Sequence, residues 1–314
     1  MEFTTRAFSA PDLPDCLAIE QAAVRSNHYL ADVLDYYTTT RGEFTVVCAE
    51  GKPIGIGKLT VLYDNSAWLE LLRVHPQYQR QGAGTAIYRR YFEQLPQLGC
   101  GSAAMYTGVK NVASAALAKN FGLQKDSVFR GMTCTLADVC LPQSLSQLPT
   151  LHPLTPQQAV EQLLPHKEQL GGYLNINHTF YRINEANCRG MASAGWVFGD
   201  GERVLVLGSR FQPDRALYIA AAIDRDGSIP RPDLLLWAKT QAALRGIPRL
   251  TAHFFLPDGQ SNPTVQEFYQ SNGFVQDPSD DVVCTNHPLT YKITQKSLQP
   301  IYQSSGAAAT LCAD

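Results

Sequence analysis

The sequence predicts an α+β chain made of two like halves, each a set of paired strands flanked by helices. Three observations carry this. Asn111, Leu117, Gly122 and Leu123 have counterparts in Asn262, Phe268, Gly273 and Phe274, all at one offset of 151. Upstream, Val46-Val-Cys-Ala-Glu-Gly51 and Trp196-Val-Phe-Gly-Asp-Gly201 are strand-like runs ending in an acidic-Gly turn signal, offset by 150. Each is followed by a returning run, Pro53–Leu62 and Arg203–Phe211, which completes a hairpin. A recurring period of this kind is the mark of duplication.

The elements follow in order. A strand near Phe3–Phe8 leads to helical segments between Leu13 and Tyr37, then the two hairpin strands and a strand at Ala67–Val74. A helix is expected over Gly82–Leu95, because Ile87, Tyr88, Tyr91, Phe92 and Leu95 share one face. A strand near Ser102–Thr107, a helix at Val112–Asn120 and a strand near Val128–Leu136 close the first half. The second half gives its hairpin, a strand at Ala216–Ile223 and a helix at Pro232–Arg245, stopped by Gly246 and Pro248. A strand at Arg249–Phe255, a helix at Thr264–Ser271 and a last strand near Leu289–Thr294 complete it. Pro142, Pro149, Pro153 and Pro156 mark a joint, so the expected domains are 1–141 and 142–296, with a mobile tail at 297–314.

Composition narrows the function. Apolar residues are 45% and charged residues 17%, which suits a globular chain. A net charge of −2 lacks the basic footprint of a nucleic-acid binder. No apolar run approaches the roughly 18 residues of a membrane span, and no signal peptide opens the sequence. Eight scattered cysteines without a C-x-x-C pair argue against disulfides or a zinc site and for a cytoplasmic protein with reduced thiols. His75, His253 and His287 read as isolated and non-catalytic.

Chemistry concentrates in the first half. A strand ends at Val74, and Gln79-Arg80-Gln81-Gly82-Ala83-Gly84 precedes the helix. Backbone N–H groups at such a helix start form an anion site, and glycine lets a phosphate approach. Gln79, Arg80 and Gln81 add side-chain donors. The run Val74-x-Pro76-x-x-Gln79-x-x-Gly82-x-Gly84, with Asn111-x-x-Ser114-x-x-Leu117 and Phe121-Gly122-Leu123 after an intervening strand, resembles the GNAT superfamily of acyl-CoA N-acyltransferases. The resemblance covers about residues 3–136, and the second half repeats it by element order. It implies a tandem duplicated GNAT-like fold, with a mixed, mostly antiparallel sheet flanked by helices in each half.

The resemblance implies that Leu72, Val74, Gln79, Arg80, Gln81, Gly82, Ala83, Gly84, Thr85 and Asn111 hold acetyl-CoA as co-substrate, with no metal. Asn111 also reads as a helix N-cap. A backbone N–H near Val74 would hold the carbonyl oxygen of the intermediate. The second copy is expected to be degenerate. Its loop Asp224-Arg-Asp-Gly-Ser-Ile-Pro-Arg-Pro232 has no Gly-x-Gly, has acidic side chains, and loses N–H donors at its prolines. It would shape the substrate cleft.

The implied reaction is attack by a neutral amine on a thioester, which needs a base. The resemblance gives that role to Glu70. Its apolar neighbours Trp68, Leu69, Leu71 and Leu72 would raise its pKa, unless an Arg or Lys pairs with it. The family's usual tyrosine acid is replaced by Ala118, and Tyr106 is the candidate substitute. The acceptor, a primary amine of a small molecule or peptide, would meet His28–Tyr37, with Asp32, Asp35 and the tyrosines. Tyr173, His178, Phe180 and Tyr181 offer a second wall. The alternative is a non-catalytic protein that binds or senses acyl-CoA. Neither nucleic acid nor membrane is an expected partner, and the sequence leaves the oligomeric state open.

Overall fold

A computed structural model of the chain describes residues 2–25, 28–136, 148–227 and 232–286. The first hairpin organises one end of a long sheet. β1 (Thr4–Ala7), β2 (Gly42–Ala49), β3 (Lys52–Val61) and β4 (Ala67–Val74) run antiparallel in that order. β5 (Ala103–Gly108) then joins β4 in parallel. A parallel neighbour requires a crossover, and α3 (Ala83–Gln94) supplies it. α1 (Leu13–Ala23) and α2 (Leu30–Thr39) connect β1 to β2, and α4 (Val112–Asn120) leads to β6 (Gln124–Thr135).

The second half opens with β7 (His152–Pro153), α5 (Pro156–Leu163), a separate hairpin of β8 (Tyr173–Ile176) and β9 (Thr179–Arg182), and α6 (Glu185–Ser193). It then repeats the first half's plan. β10 (Val197–Gly199), β11 (Arg203–Gly208) and β12 (Leu217–Asp224) run antiparallel, and α7 (Pro232–Leu244) crosses to a parallel β13 (Arg249–Phe255). α8 (Pro263–Ser271), β14 (Val275–Gln276) and β15 (Asp281–Thr285) follow.

The two halves share one sheet of order β1-β2-β3-β4-β5-β15-β6-β13-β12-β11-β10-β7, with β14 also paired to β6. The closing strands are exchanged. β15, from the second half, lies between β5 and β6, its Asp281 opposite Gly108 on one side and Phe129 on the other. β6, from the first half, pairs with β13 over seven positions, Arg249↔Thr135 to Phe255↔Phe129. Each half therefore completes the other's edge. Unpaired edges would otherwise expose rows of N–H and C=O groups.

Strand alternation sorts the layers. In β2, Val47 and Ala49 pack with Ile87, Tyr88 and Tyr91 of α3, and these share a core with Leu234, Leu235 and Ala238 of α7. Val46 and Cys48 face the other way, onto Cys16, Ile19, Val33 and Tyr37 of α1 and α2. On the second half, Leu163, Phe180 and Met191 pack against Val204, Val206 and Ile223. The six described cysteines are free and buried. No helix among the described residues is long and apolar enough to cross a membrane.

The helix at Val112–Asn120 and the strand at Arg249–Phe255 fall where the sequence placed them. The expected strand at Leu289–Thr294, the tail, residues 141–147 of the joint, and Pro230 lie outside the described residues. The hairpin β8–β9 was missing from the expectations, because four-residue runs are too short for periodicity to mark.

A chain ended after Asp280 lacks β15 and leaves β5 and β6 with open facing edges. It should aggregate on expression. A chain ended after Asn286 keeps every described strand, and should give a cooperative melt by circular dichroism.

Candidate active site

The cleft begins where two parallel strands separate. β4 and β5 pair only from Ala67↔Ala103 to Leu69↔Met105. Beyond that point β4 bulges away. Lys58 faces Glu70 and Ile56 faces Arg73, so Leu71 and Leu72 together stand opposite Gly57. Leu71 adopts φ +58°, a left-handed conformation that a leucine rarely takes. Gly57 is required there: a Cβ on it would lie 2.0 Å from the Tyr91 hydroxyl. A cleft of about 910 Å³ opens at this split, and both halves line it.

The glycine loop forms one rim. Gly82 is the N-cap of α3 with φ +100°, and no side chain caps the helix. Arg80 has φ +59°. Two left-handed residues ahead of an uncapped helix aim successive N–H groups outward, the arrangement that cradles an anion. Leu72, Val74, Gln79, Arg80, Gly84 and Asn111 line the cleft. Gln81, Gly82, Ala83 and Thr85 are not on its wall, and Ala83 is buried against the core. Gln79 donates to the Val74 carbonyl at 3.0 Å and Gln81 to the Gln77 carbonyl at 2.7 Å, so both amides brace the loop. Asn111 Oδ1 accepts from the Ser114 N–H at 3.1 Å, the N-cap geometry its sequence position suggested.

Glu70 lies on the cleft wall, but its surroundings are not the apolar ones expected from its neighbours in sequence. Arg210, from the loop after β11, grips it with two hydrogen bonds, Nη2 to Oε1 at 2.6 Å and Nη1 to Oε2 at 2.9 Å. Thr60 donates to Oε1 at 2.6 Å and Tyr37 to Oε2 at 3.3 Å. The side chains of Arg210 and Glu70 are 1% and 8% exposed. Arg210 also donates from Nε to the Tyr36 hydroxyl at 2.8 Å and from Nη1 to Thr179, and lies 5.1 Å from the centre of the Tyr36 ring. Beside this pair, burial pushes the Lys58 ammonium down to about 8.

Tyr106 stands on β5 just past the split. Its ring stacks on Trp68 at 6.3 Å and on His178 at 5.1 Å. Burial holds its phenol well above the usual range, so it stays protonated. His178 is the second residue of the two-residue turn between β8 and β9, and it lines the cleft. Its Nδ1 lies 3.1 Å from Asp281 Oδ2. His253 is not isolated, as its position in sequence suggested. Nε2 lies 3.5 Å from the same oxygen, because β13 and β15 flank β6 and bring the two together. Burial lowers the His253 pKa and favours the neutral ring. Burial would raise the Asp281 carboxyl, but the two histidines outweigh it and hold it at about 2.

The acceptor-side expectations divide. His28, Tyr29 and Tyr37 line the cleft, while Asp32 pairs with Arg215 at 3.0 Å. Tyr173, Phe180 and Tyr181 are buried core residues, and the second half's wall is made by Asn177, His178, Phe211, Gln212, Arg215 and Tyr218 instead. Sequence reasoning missed Arg210 and Asp281 entirely.

Comparison with known proteins fits this geometry. Residues 11–123 match the acetyltransferase (GNAT) family. The match takes in β2 to β5, the glycine loop, α3 and α4. The whole chain is similar in fold to a GCN5-related N-acetyltransferase from Sphaerobacter thermophilus, with a TM-score of 0.60 and 14% identity over 90% of this chain and 95% of that one. A tandem GNAT protein from the clavulanic acid biosynthesis pathway gives 0.54 and 14%, over 91% and 98% of the two chains. No curated protein shows a significant match. The family match lies in the half that carries the glycine loop, and the tandem fold is the one the repeat predicted.

Breaking a buried ion pair strands the surviving charge. Glu70→Gln and Arg210→Met should each cost about 3–5 kcal/mol in urea unfolding, and the double variant should lose much less than the sum. Asp281 has its own signature. Its folded pKa of about 2 lies below the ordinary 3.8, so the stability it contributes is present above about pH 4 and lost as pH falls toward 2. In acid unfolding, Asp281→Asn should flatten that part of the curve.

Proposed function

We propose that the protein is an acetyl-CoA-dependent N-acetyltransferase, acting on a primary amine of a small molecule or peptide by direct attack. The carrying observation is the uncapped, glycine-started helix α3 on the same cleft as the β4–β5 split, inside a GNAT domain. The loop of Gln79, Arg80, Gln81, Gly82, Ala83 and Gly84, with Thr85 behind it, would take the pyrophosphate on its N–H groups. Leu72, Val74 and Asn111 would flank the pantetheine arm, and the strained backbone at Leu71 would present its amide to the carbonyl oxygen.

Glu70 enters this reading as a positioning residue. Its four hydrogen bonds are already taken, and protonating it would leave Arg210 facing a neutral acid in a buried site. Tyr106 supplies a protonated hydroxyl to the leaving thiolate where Ala118 offers none. The second half would bind no acyl-CoA: around its β12 end Asp200, Glu202, Asp224 and Asp226 outnumber Arg203 and Arg225, a net negative lining that disfavours phosphate. It would instead close the acceptor side of the cleft. Six buried free thiols support a cytoplasmic location.

Calorimetric titration should give one acetyl-CoA site per chain. Gly82→Trp should weaken it at least tenfold, since φ +100° suits only glycine and the new ring would cover the loop. Two sites would overturn the degenerate reading of the second half. Binding without thiol release across an amine panel would favour an acyl-CoA sensor.

A further inference from the structure

We propose that His178, backed by Asp281, accepts the proton of the incoming amine, so that the second half supplies the base for acyl-CoA bound by the first. This rests on the N-acyltransfer reading above. Four observations carry it. His178 lines the cleft with its side chain 39% exposed, and its Nδ1 is turned to Asp281. No protein group bonds its Nε2 among the described residues, which leaves that nitrogen for a ligand. Tyr106, against which it stacks, is the first residue of β5 past the last β4–β5 pair, Leu69↔Met105. His178 therefore stands at the split where the thioester is expected.

The turn itself is the fourth observation. Asn177 and His178 take φ +52° and +54°, the conformation of a two-residue hairpin turn whose second position is ordinarily glycine. A histidine there is strained, and strain of this kind gathers at functional sites. Asn177 pins the turn: its Oδ1 accepts from the Arg210 backbone N–H at 2.7 Å, and its Nδ2 donates to the Phe211 carbonyl at 3.2 Å. The residue that holds Glu70 thus also fixes the place of His178.

The step balances. The neutral amine nitrogen attacks the thioester carbonyl carbon and forms the C–N bond, while Nε2 takes the N–H proton. Asp281 holds the ring and stabilises the imidazolium, as the carboxylate does in a catalytic triad. The C–S bond breaks with its electron pair on sulfur, Tyr106 protonates the thiolate, and the imidazolium stacked beside it restores the Tyr106 proton. The products are an amide and CoA thiol, and the histidine is neutral again. The groups facing His178 are Tyr106 from β5, Tyr218 from β12, His253 from β13 and Asp281 from β15, with Asp277 acting on His253 from the segment before β15.

The test is thiol release from acetyl-CoA with hydroxylamine as the probe nucleophile, across pH 5.5–9, on the full chain. Acetyl-CoA binding is measured alongside by calorimetry. His178→Gln should lose 10²–10⁴-fold in rate, the span of general-base catalysis, with binding unchanged. In His178→Gly, added imidazole should restore part of the rate, which a structural role would not allow. Asp281→Asn should lower the rate by a smaller factor. Several results would overturn the proposal: no release by wild-type protein that binds acetyl-CoA, an unchanged rate in His178→Gln, or activity lost to a chelator and restored by zinc. Absence of acetyl-CoA binding would instead bring down the acyl-CoA reading itself.

Discussion

The buried pair of Arg210 and Glu70 is the constraint from which the site takes its shape. A guanidinium 1% exposed is tolerable only when nearly every N–H finds an acceptor, and here the acceptors come from both halves. Glu70 and Thr60 lie on the first half's strands, Tyr36 on its second helix, and Thr179 on the second half's hairpin. The bidentate geometry leaves little freedom in angle. It therefore sets how the loop after β11 sits over the β4 bulge, and through Asn177 it sets the turn that carries His178. One buried charge thus aligns the first half's wall of the cleft with the second half's.

The exchanged strands make that alignment durable. With β15 between β5 and β6, and β6 against β13, the halves are joined by backbone ladders rather than by a surface contact. Further polar ties cross the same joint: Arg130 holds Asp280 with two bonds of 2.9 Å, and Thr133 donates to Asp277 at 2.9 Å. A cleft between two loosely docked domains would open and close. This one has a continuous sheet as its floor, which suits a reaction that depends on holding two reactants in register.

Local strain marks the working parts. Leu71, Gly82 and His178 each hold a left-handed backbone, and each stands at a different edge of the cleft or its loop. Only Gly82 is the residue type that takes such a conformation without cost. At Leu71 the strain follows from the bulge that parts the strands, and at His178 from a turn too short for anything else. The packing around them keeps both in place. Lys58 shows the same tolerance of local cost, since its ammonium is buried with Thr40 as its hydrogen-bond acceptor.

Much of this was written into the sequence. The constant offset between Asn111 and Asn262 announced duplication, the alternation in β2 fixed which face each residue buries, and the glycine loop marked the uncapped start of α3. These signals are legible because they depend on neighbours along the chain: periodicity, capping and backbone freedom are local properties. The apolar run around Glu70 misled for the same reason. It reports what lies beside the residue in sequence, whereas its partner Arg210 is 140 positions away. Strand exchange, the pairing of His178 with Asp281, and the placement of His253 against them were likewise beyond local reasoning. They arise because β15 and β13 are brought to either side of β6, and that choice is made by the closing of sheet edges across the whole chain. The sequence by itself determined most of the elements and the glycine loop. The tertiary structure decided which charges meet and which side chains share the cleft, because buried charges and open strand edges must find partners wherever the fold places them.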